Sequence, residues 1–274
     1  MLRVTLTSLA LGLLSFTSPG SPTAVSSSPA LEAEATAALA GGNATAMNFS
    51  EKQAAFNDYM LDIYNEADLR EKGLSLDVFE KGFIGFQNMK RQQNTSQERS
   101  ILTVIDFTKS SREKRLWIID LDSKKVLFNT LVAHGRNTGE DRALKFSNQP
   151  NSYMSSLGFY LTDATYFGKH GLSLRLSGMD GNYNSNAMAR AIVMHGADYA
   201  TASFVKQYGR LGRSLGCPAV PQEVSKEIIM AIKDKTVMYI HGNDSNYTSD
   251  YLNPTEAVEA YAQNALTESG IATL

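Results

Sequence analysis

The hydrophobic pattern of this chain changes its period near Ser100, and that change limits the folds open to it. From Ser50 to Arg91 the apolar residues recur at helical spacing, which predicts two helices, N-capped by Ser50 and Ser75. Beyond Ser100 the apolar runs are short, rich in β-branched and aromatic residues, and separated by glycine, which predicts strands. We expect these strands at 102–107, 114–121, 126–133, 155–162, 172–176, 191–194 and 236–240.

Two later segments return to a helical pattern. Residues 221–234 begin with proline and place isoleucines and valine on one side, and residues 254–266 form a second candidate helix. The predicted fold class is therefore a β-rich α+β domain, mostly antiparallel, with a helical N-terminal lobe. We expect the lobe at 50–99, a catalytic domain at 100–243, and a C-terminal helix and tail at 244–274.

The N-terminus is typical of a secretory signal. Arg3 precedes an apolar run from Val4 to Phe16, and small residues follow. We expect a signal peptide over residues 1–24, cut between residues 18 and 30, and then a flexible linker over 25–49. The apolar run is shorter than the ~20 residues that span a bilayer, so the sequence predicts an exported, periplasmic or cell-wall protein without a membrane anchor.

Composition excludes several kinds of function. The formal net charge is −2, so no basic footprint for nucleic acid is present. The four histidines are scattered and form no spaced metal-ligand cluster with the single cysteine. No glycine-rich phosphate loop is found. We therefore expect neither a metal nor a cofactor.

Cys217 is the only cysteine of the chain, and it follows Gly216 in a glycine-rich stretch. A lone cysteine is often just a small buried residue. An exported chain with one cysteine cannot form an internal disulfide, however, so its thiol is expected to be either used or buried. His195, at the end of a predicted strand, is the candidate base, although all four histidines precede a glycine.

These two residues predict nucleophilic catalysis through a thioester. An imidazolium beside a thiol lowers the thiol pKa and gives a thiolate that attacks an acyl carbon, so we expect Cys217 and His195 to form an ion pair in part. The Gly196 carbonyl or Asp198 would orient the imidazole. Backbone N–H groups around Gly216 and Cys217 would hold the oxyanion.

Two longer stretches resemble a known family. They are RAIVMHGADY at residues 190–199 and GRLGRSLGCPAV at residues 209–220. Both resemble the YkuD-type L,D-transpeptidases, and most closely the branch of murein L,D-transpeptidase catalytic domain proteins. FSN at 146–148, SSLGFY at 155–160 and GKHGLSL at 168–174 fit the same branch, so the resemblance spans roughly residues 76–240.

The resemblance implies a YkuD-like catalytic fold and a role for each motif residue. It implies Cys217 as nucleophile, His195 as base and the Gly196 carbonyl as its orienting group, with Ser214 and Gly216 in the catalytic motif. The family cleaves peptidoglycan stem peptides after a diaminopimelate-type residue, releases a terminal D-amino acid and transfers the acyl group to an amine. Many members are acylated by carbapenems.

This sequence departs from the wider family around the cysteine. Leu215 stands where the family has histidine, and Pro218-Ala219 replaces its apolar-arginine pair. We therefore expect Arg213 to take over binding of the substrate carboxylate. Tyr166, His170 and Gly171 are the other predicted substrate-binding residues.

Two alternatives remain open from the residues. An L,D-carboxypeptidase would use water as acceptor at the same site, because the choice of acceptor depends on the shape of the groove. A wall-binding protein would retain the site without activity.

Overall fold

The computed structural model describes residues 47–92 and 95–268. Internal contacts divide the chain after Ala46, and everything below concerns the unit that begins at Met47. The predicted signal peptide, nearly all of the predicted linker and the C-terminal tail lie outside the described residues. In the part of the chain that is described, no helix has the length and apolar character needed to cross a membrane.

Five α-helices are present in the described ranges, and side-chain caps mark the start of α1, α2 and α3. They are α1 Phe49–Glu66, α2 Leu76–Arg91, α3 Ala202–Tyr208, α4 Gln222–Ile232 and α5 Pro254–Glu268. The Ser75 hydroxyl caps α2 as predicted, accepting the Val78 N–H. The prediction of Ser50 as the first N-cap is wrong. Asn48 caps α1 because its side chain and that of Glu51 bond reciprocally to each other's backbone N–H, at 3.1 and 2.8 Å.

One eight-stranded sheet occupies the middle of the described unit. Its strands are β1 Ile101–Asp106, β2 Leu116–Asp120, β3 Lys125–Thr130, β4 Gly158–Gly168, β5 Gly171–Gly178, β6 Val193–Ala197, β7 Ala219–Pro221 and β8 Val237–His241. The spatial order is β3-β2-β1-β8-β4-β5-β6-β7. Strand pairs β1–β8 and β6–β7 are parallel and the other neighbours are antiparallel, which confirms the mostly antiparallel prediction.

Both faces of the sheet are covered, because alternate residues of its strands point to opposite sides. In β1 and β2, Leu102 and Trp117 join a core formed with α1, α2 and α5, whereas Ile105 and Ile118 join a second core that contains α4. Helix α2 packs closely on the sheet at Gly85, where an added Cβ would lie 2.1 Å from the Phe159 ring. The helical lobe is thus part of the fold that carries the sheet.

Sequence patterns missed the elements closest to the site. Strand β7 has three residues and α3 has seven, both too short for a periodic signal. Strand β6 begins at Val193 and not at Ala191, whose φ of 53° is left-handed. Strands β4 and β5 run beyond their predicted ends as a hairpin whose outer part is exposed, and this hairpin lies over the site described next.

Candidate active site

The parallel pairing of β6 with β7 brings the two motif residues to one cavity. His195 pairs with Ala219, so Cys217 comes just before the start of β7 and beside β6. A cavity of about 440 Å³ contains both side chains in its wall. Its lining residues are Tyr166, Lys169, His170, Ser173, Arg190, Ala191, Val193, His195, Tyr199, Arg213, Ser214, Leu215 and Cys217.

His195 is buried and held through one ring nitrogen. Its Nδ1 lies 2.9 Å from the Gly196 carbonyl oxygen, so that carbonyl, and not Asp198, is the group in contact with the ring. A carbonyl only accepts, so the neutral imidazole carries its proton on Nδ1 and leaves the Nε2 lone pair available. Burial lowers the pKa of His195, which favours this neutral form.

The His195-Gly196 pair is locked against helix α4. A Cβ at residue 196 would lie 2.5 Å from both Gln222 Oε1 and Ser225 Oγ in the first turn of that helix. Only glycine allows this close approach. The carbonyl that holds the imidazole is therefore positioned by packing between β6 and α4.

The thiol of Cys217 is partly buried and bonds to the backbone at the start of β6 and just before it. The Val193 N–H donates to Sγ at 3.5 Å, and the thiol donates to the Ala191 carbonyl at 3.7 Å. Burial raises the pKa of Cys217, opposed by the Val193 N–H and by the charges of Arg190 and Lys169. No hydrogen bond in the described unit joins Sγ to His195. Burial of both groups opposes their charged forms, and the ion pair expected from sequence stays a prediction.

The loop that carries the thiol is shaped by Ser214 and Gly216. The Ser214 hydroxyl accepts the Gly216 N–H at 3.0 Å and donates to the Cys217 carbonyl at 2.6 Å. Gly216 has a φ of 126°, and a Cβ there would lie 2.8 Å from the Met154 carbonyl oxygen. The Gly216 N–H, expected to hold an oxyanion, is therefore already occupied, whereas no hydrogen bond within the described unit uses the Cys217 N–H.

Arg213 lines the cavity but already has a carboxylate partner. Its Nη1 donates to Glu140 Oε1 at 2.6 Å and to the carbonyls of Arg136 and Gly139. The same carboxylate also pairs with Arg210 at 3.1 Å. One negative charge is thus shared by two arginines, and this corner of the cavity stays positive.

Three residues of the β4–β5 hairpin were predicted to bind substrate, and two of them line the cavity. Tyr166 and His170 line the cavity, and the His170 ring stacks on His195 with centroids 4.2 Å apart. Gly171 does not line the cavity. It pairs with Gly168 and turns the hairpin with a φ of 76°, so its role is in the backbone.

Sequence reasoning missed two cationic lining residues, Lys169 and Arg190. Arg190 begins the RAIVMHGADY stretch and Lys169 lies in the GKHGLSL stretch, so their place in those motifs was an available signal. With Arg213 they give the wall three cations, and no Asp or Glu is among its lining residues. The cavity therefore suits an anionic ligand although the chain has a net charge of −2.

A cysteine just before β7 and a histidine within the neighbouring strand β6 share one cavity, which places this fold among sheet proteins with a thiol and an imidazole in one site. The family model for the L,D-transpeptidase catalytic domain matches residues 70–241, more than half of the chain. The protein belongs to the L,D-transpeptidase catalytic-domain family. This confirms the YkuD-like fold and the family predicted from the two motifs.

Several solved structures resemble the chain at low sequence identity. An L,D-transpeptidase from Mycobacterium smegmatis is 10% identical with a TM-score of 0.34, over 53% of this chain and 59% of its own. The helical cell shape determining protein Pgp2 (K307A mutant) from Campylobacter jejuni is 12% identical with a TM-score of 0.38, over 68% and 65%. L,D-transpeptidase 3 from Mycobacterium tuberculosis, in complex with a faropenem-derived adduct, is 12% identical with a TM-score of 0.33, over 53% and 61%.

The chain thus spans about six tenths of the length of the structures it resembles. No curated protein sequence matches it.

Proposed function

We propose that the protein is an exported, cysteine-dependent L,D-transpeptidase that acts on peptidoglycan stem peptides. The observation that carries the proposal is the shared cavity of Cys217 and His195, with His195 Nδ1 held by the Gly196 carbonyl. This arrangement leaves an unprotonated imidazole nitrogen for the thiol proton. The three cations of the wall suit a peptide donor that bears free carboxylates.

The proposed first half-reaction forms a thioester. The thiol proton passes to His195 Nε2 as sulfur bonds to the acyl carbon, because both groups are neutral in the resting site. The Cys217 N–H, which has no other hydrogen bond, is the donor proposed for the oxyanion. The terminal D-amino acid then leaves as an amine that takes the proton back from the imidazolium.

The proposed second half-reaction transfers the acyl group. His195 takes a proton from the acceptor amine as its nitrogen attacks the thioester, and the released thiolate of Cys217 recovers a proton from the imidazolium. Water in place of the amine would give a carboxypeptidase through the same steps. The experiment must therefore determine whether the acceptor is an amine or water.

The test has two arms on the purified mature protein. A carbapenem should add once to the intact mass, with no adduct in Cys217→Ser and slow addition in His195→Ala. A tetrapeptide muropeptide should lose its terminal D-amino acid and yield a cross-linked dimer. Tripeptide monomer alone would move the assignment to a carboxypeptidase. Neither an adduct nor release of a D-amino acid would leave the inactive wall-binding protein as the function.

A further inference from the structure

The guanidinium of Arg190 lies beside Gly216, the residue that precedes Cys217. Arg190 stands before β6 and lines the cavity together with Cys217. A Cβ built on Gly216 would lie 3.4 Å from Arg190 Nη2, which places the guanidinium against the backbone of the nucleophile loop. The arginine therefore adjoins Cys217 through its neighbour in sequence.

Hydrogen bonds hold this guanidinium on the opposite side, along residues 147–156. Nη1 donates to the Ser147 carbonyl at 2.7 Å and to the Ser156 hydroxyl. Nη2 donates to the Met154 carbonyl at 2.6 Å and to the Ser152 hydroxyl at 3.2 Å. These four bonds use both terminal nitrogens, so the side chain is anchored in one orientation.

None of the four acceptors is a carboxylate. Arg190 has no ion pair within the described unit, and it is half-buried. Burial lowers its pKa, but an arginine remains cationic at physiological pH. An anchored and unneutralised positive charge therefore lies at the wall that contains the thiol.

The other charged and titratable groups around the thiol are less suited to act as its partner. His195 is neutral in the resting state and does not bond Sγ. Lys169 lies on the exposed turn of the β4–β5 hairpin, where water screens its charge. The remaining titratable groups that line the cavity are Tyr166, His170, Tyr199 and Arg213, the last of which pairs with Glu140.

We propose that Arg190 is the electrostatic partner of the Cys217 thiolate. Its charge stabilises the sulfur anion both when the thiol loses its proton and when sulfur leaves the thioester, and its hydrogen bonds keep that charge in place. Arg190 is a positioning residue and not a catalytic one, since it makes no hydrogen bond to the sulfur. That this stabilisation serves acyl transfer rests on the proposed function, but its effect on the pKa of Cys217 can be measured without a substrate.

The test is the pH dependence of Cys217 alkylation in the full chain by iodoacetamide, an uncharged reagent that reacts with thiolate. In Arg190→Gln we expect the midpoint to rise by about one pH unit, and alkylation at pH 7 to slow about tenfold. Arg190→Lys should keep the midpoint close to that of the parent. The control is Arg99→Gln, because Arg99 also donates to backbone carbonyls, of Ala231 and Lys233, but does not line the cavity.

Two results would overturn the proposal. One is an alkylation profile of Arg190→Gln that superimposes on that of Arg99→Gln. The other is an equal rise of the alkylation midpoint in Arg190→Lys, which would assign the effect to the lost hydrogen bonds and not to the charge.

If Arg190→Gln lacks a cooperative melting transition, the alkylation midpoint of Lys169→Gln decides between the two cations. We expect a change of only a few tenths of a pH unit there, whereas a full unit would make Lys169 the partner. Alkylation needs no acyl donor, so failure of the transpeptidase assay leaves this test intact.

Discussion

Two histidine segments of this protein look alike in sequence but meet different surroundings. His134 and His195 each precede a glycine, and both are buried. Each ring bonds one backbone carbonyl, that of Gly139 at 3.3 Å for His134 and that of Gly196 at 2.9 Å for His195. Burial lowers the pKa of both, that of His134 to about 4.

The two histidines differ in what surrounds their second ring nitrogen. His134 Nδ1 faces Arg115 Nη2 at 2.8 Å, and that fully buried guanidinium also donates to the carbonyls of Val132 and Lys109. His195 instead lines the cavity that contains Cys217. A buried histidine whose two nitrogens are both bound is a structural group, and one with a nitrogen available beside a thiol can transfer protons.

His134 nevertheless supports the site through its backbone. Its carbonyl accepts the Ser214 N–H at 2.9 Å, and the next residue, Gly135, forms a bridge with Ser214. The locked histidine thus positions the loop that carries Cys217. The comparison therefore separates a supporting histidine from a reactive one, and four predictions test it.

The largest expected effect is on acylation. His195→Gln should slow carbapenem acylation at pH 7 by roughly 10²–10⁴-fold, the usual contribution of a general base. His134→Gln, which keeps a neutral hydrogen-bonding side chain, should change that rate by less than threefold. Intact mass measured against time checks both variants, with thermal melting as the folding control. Equal losses in the two variants would break the distinction.

Acid should destabilise the protein through His134. Its pKa is about 4 in the fold and about 6.5 when unfolded. The unfolded chain therefore binds the proton first, and the free energy of unfolding falls as the pH drops from 6.5 to 4, by roughly 3 kcal/mol at most. Urea unfolding at pH 7 and pH 4.5 should show a smaller loss in His134→Gln. Equal losses would mean that His134 is not held neutral.

Ser155 connects the two segments and should have an intermediate effect. Its hydroxyl accepts the Gly135 N–H at 3.0 Å and donates to the Gly216 carbonyl at 3.1 Å. Ser155→Ala should cost about 1–2 kcal/mol of unfolding free energy and also slow acylation. Ser249→Ala is the matched control, because that hydroxyl bonds Asp180 away from the cavity. If both variants lose stability but neither loses rate, the link does not position the nucleophile.

The smallest expected effect concerns the ring of His170, which stacks on the ring of His195 in the cavity. His170→Ala removes the stacked ring, which should slow acylation on the order of threefold, since such contacts contribute about 0.5–1.5 kcal/mol. His170→Phe keeps an aromatic ring and should stay near the parental rate. Full activity in His170→Ala would show that the stack does not help to orient the base.

The sequence alone predicted most of the elements and the candidate catalytic pair. Short apolar runs rich in β-branched residues predicted strands such as β1, whose Leu102 and Ile105 enter cores on opposite faces. Helix α2 and its Ser75 cap followed from spacing within a few residues. Residue type and motif single out Cys217 and His195 within the sequence itself.

Only the tertiary structure decided the surroundings of Cys217 and His195 and the protonation state that these surroundings favour. The pairing of β6 with the three-residue β7, the anchoring of Arg190 by residues 147–156, and the partnership of Arg213 with Glu140 all join segments far apart in the chain. The neutral forms of thiol and imidazole depend on burial, which no local pattern encodes. Backbone geometry sets periodicity locally, whereas burial and charge contacts arise only when distant segments pack together.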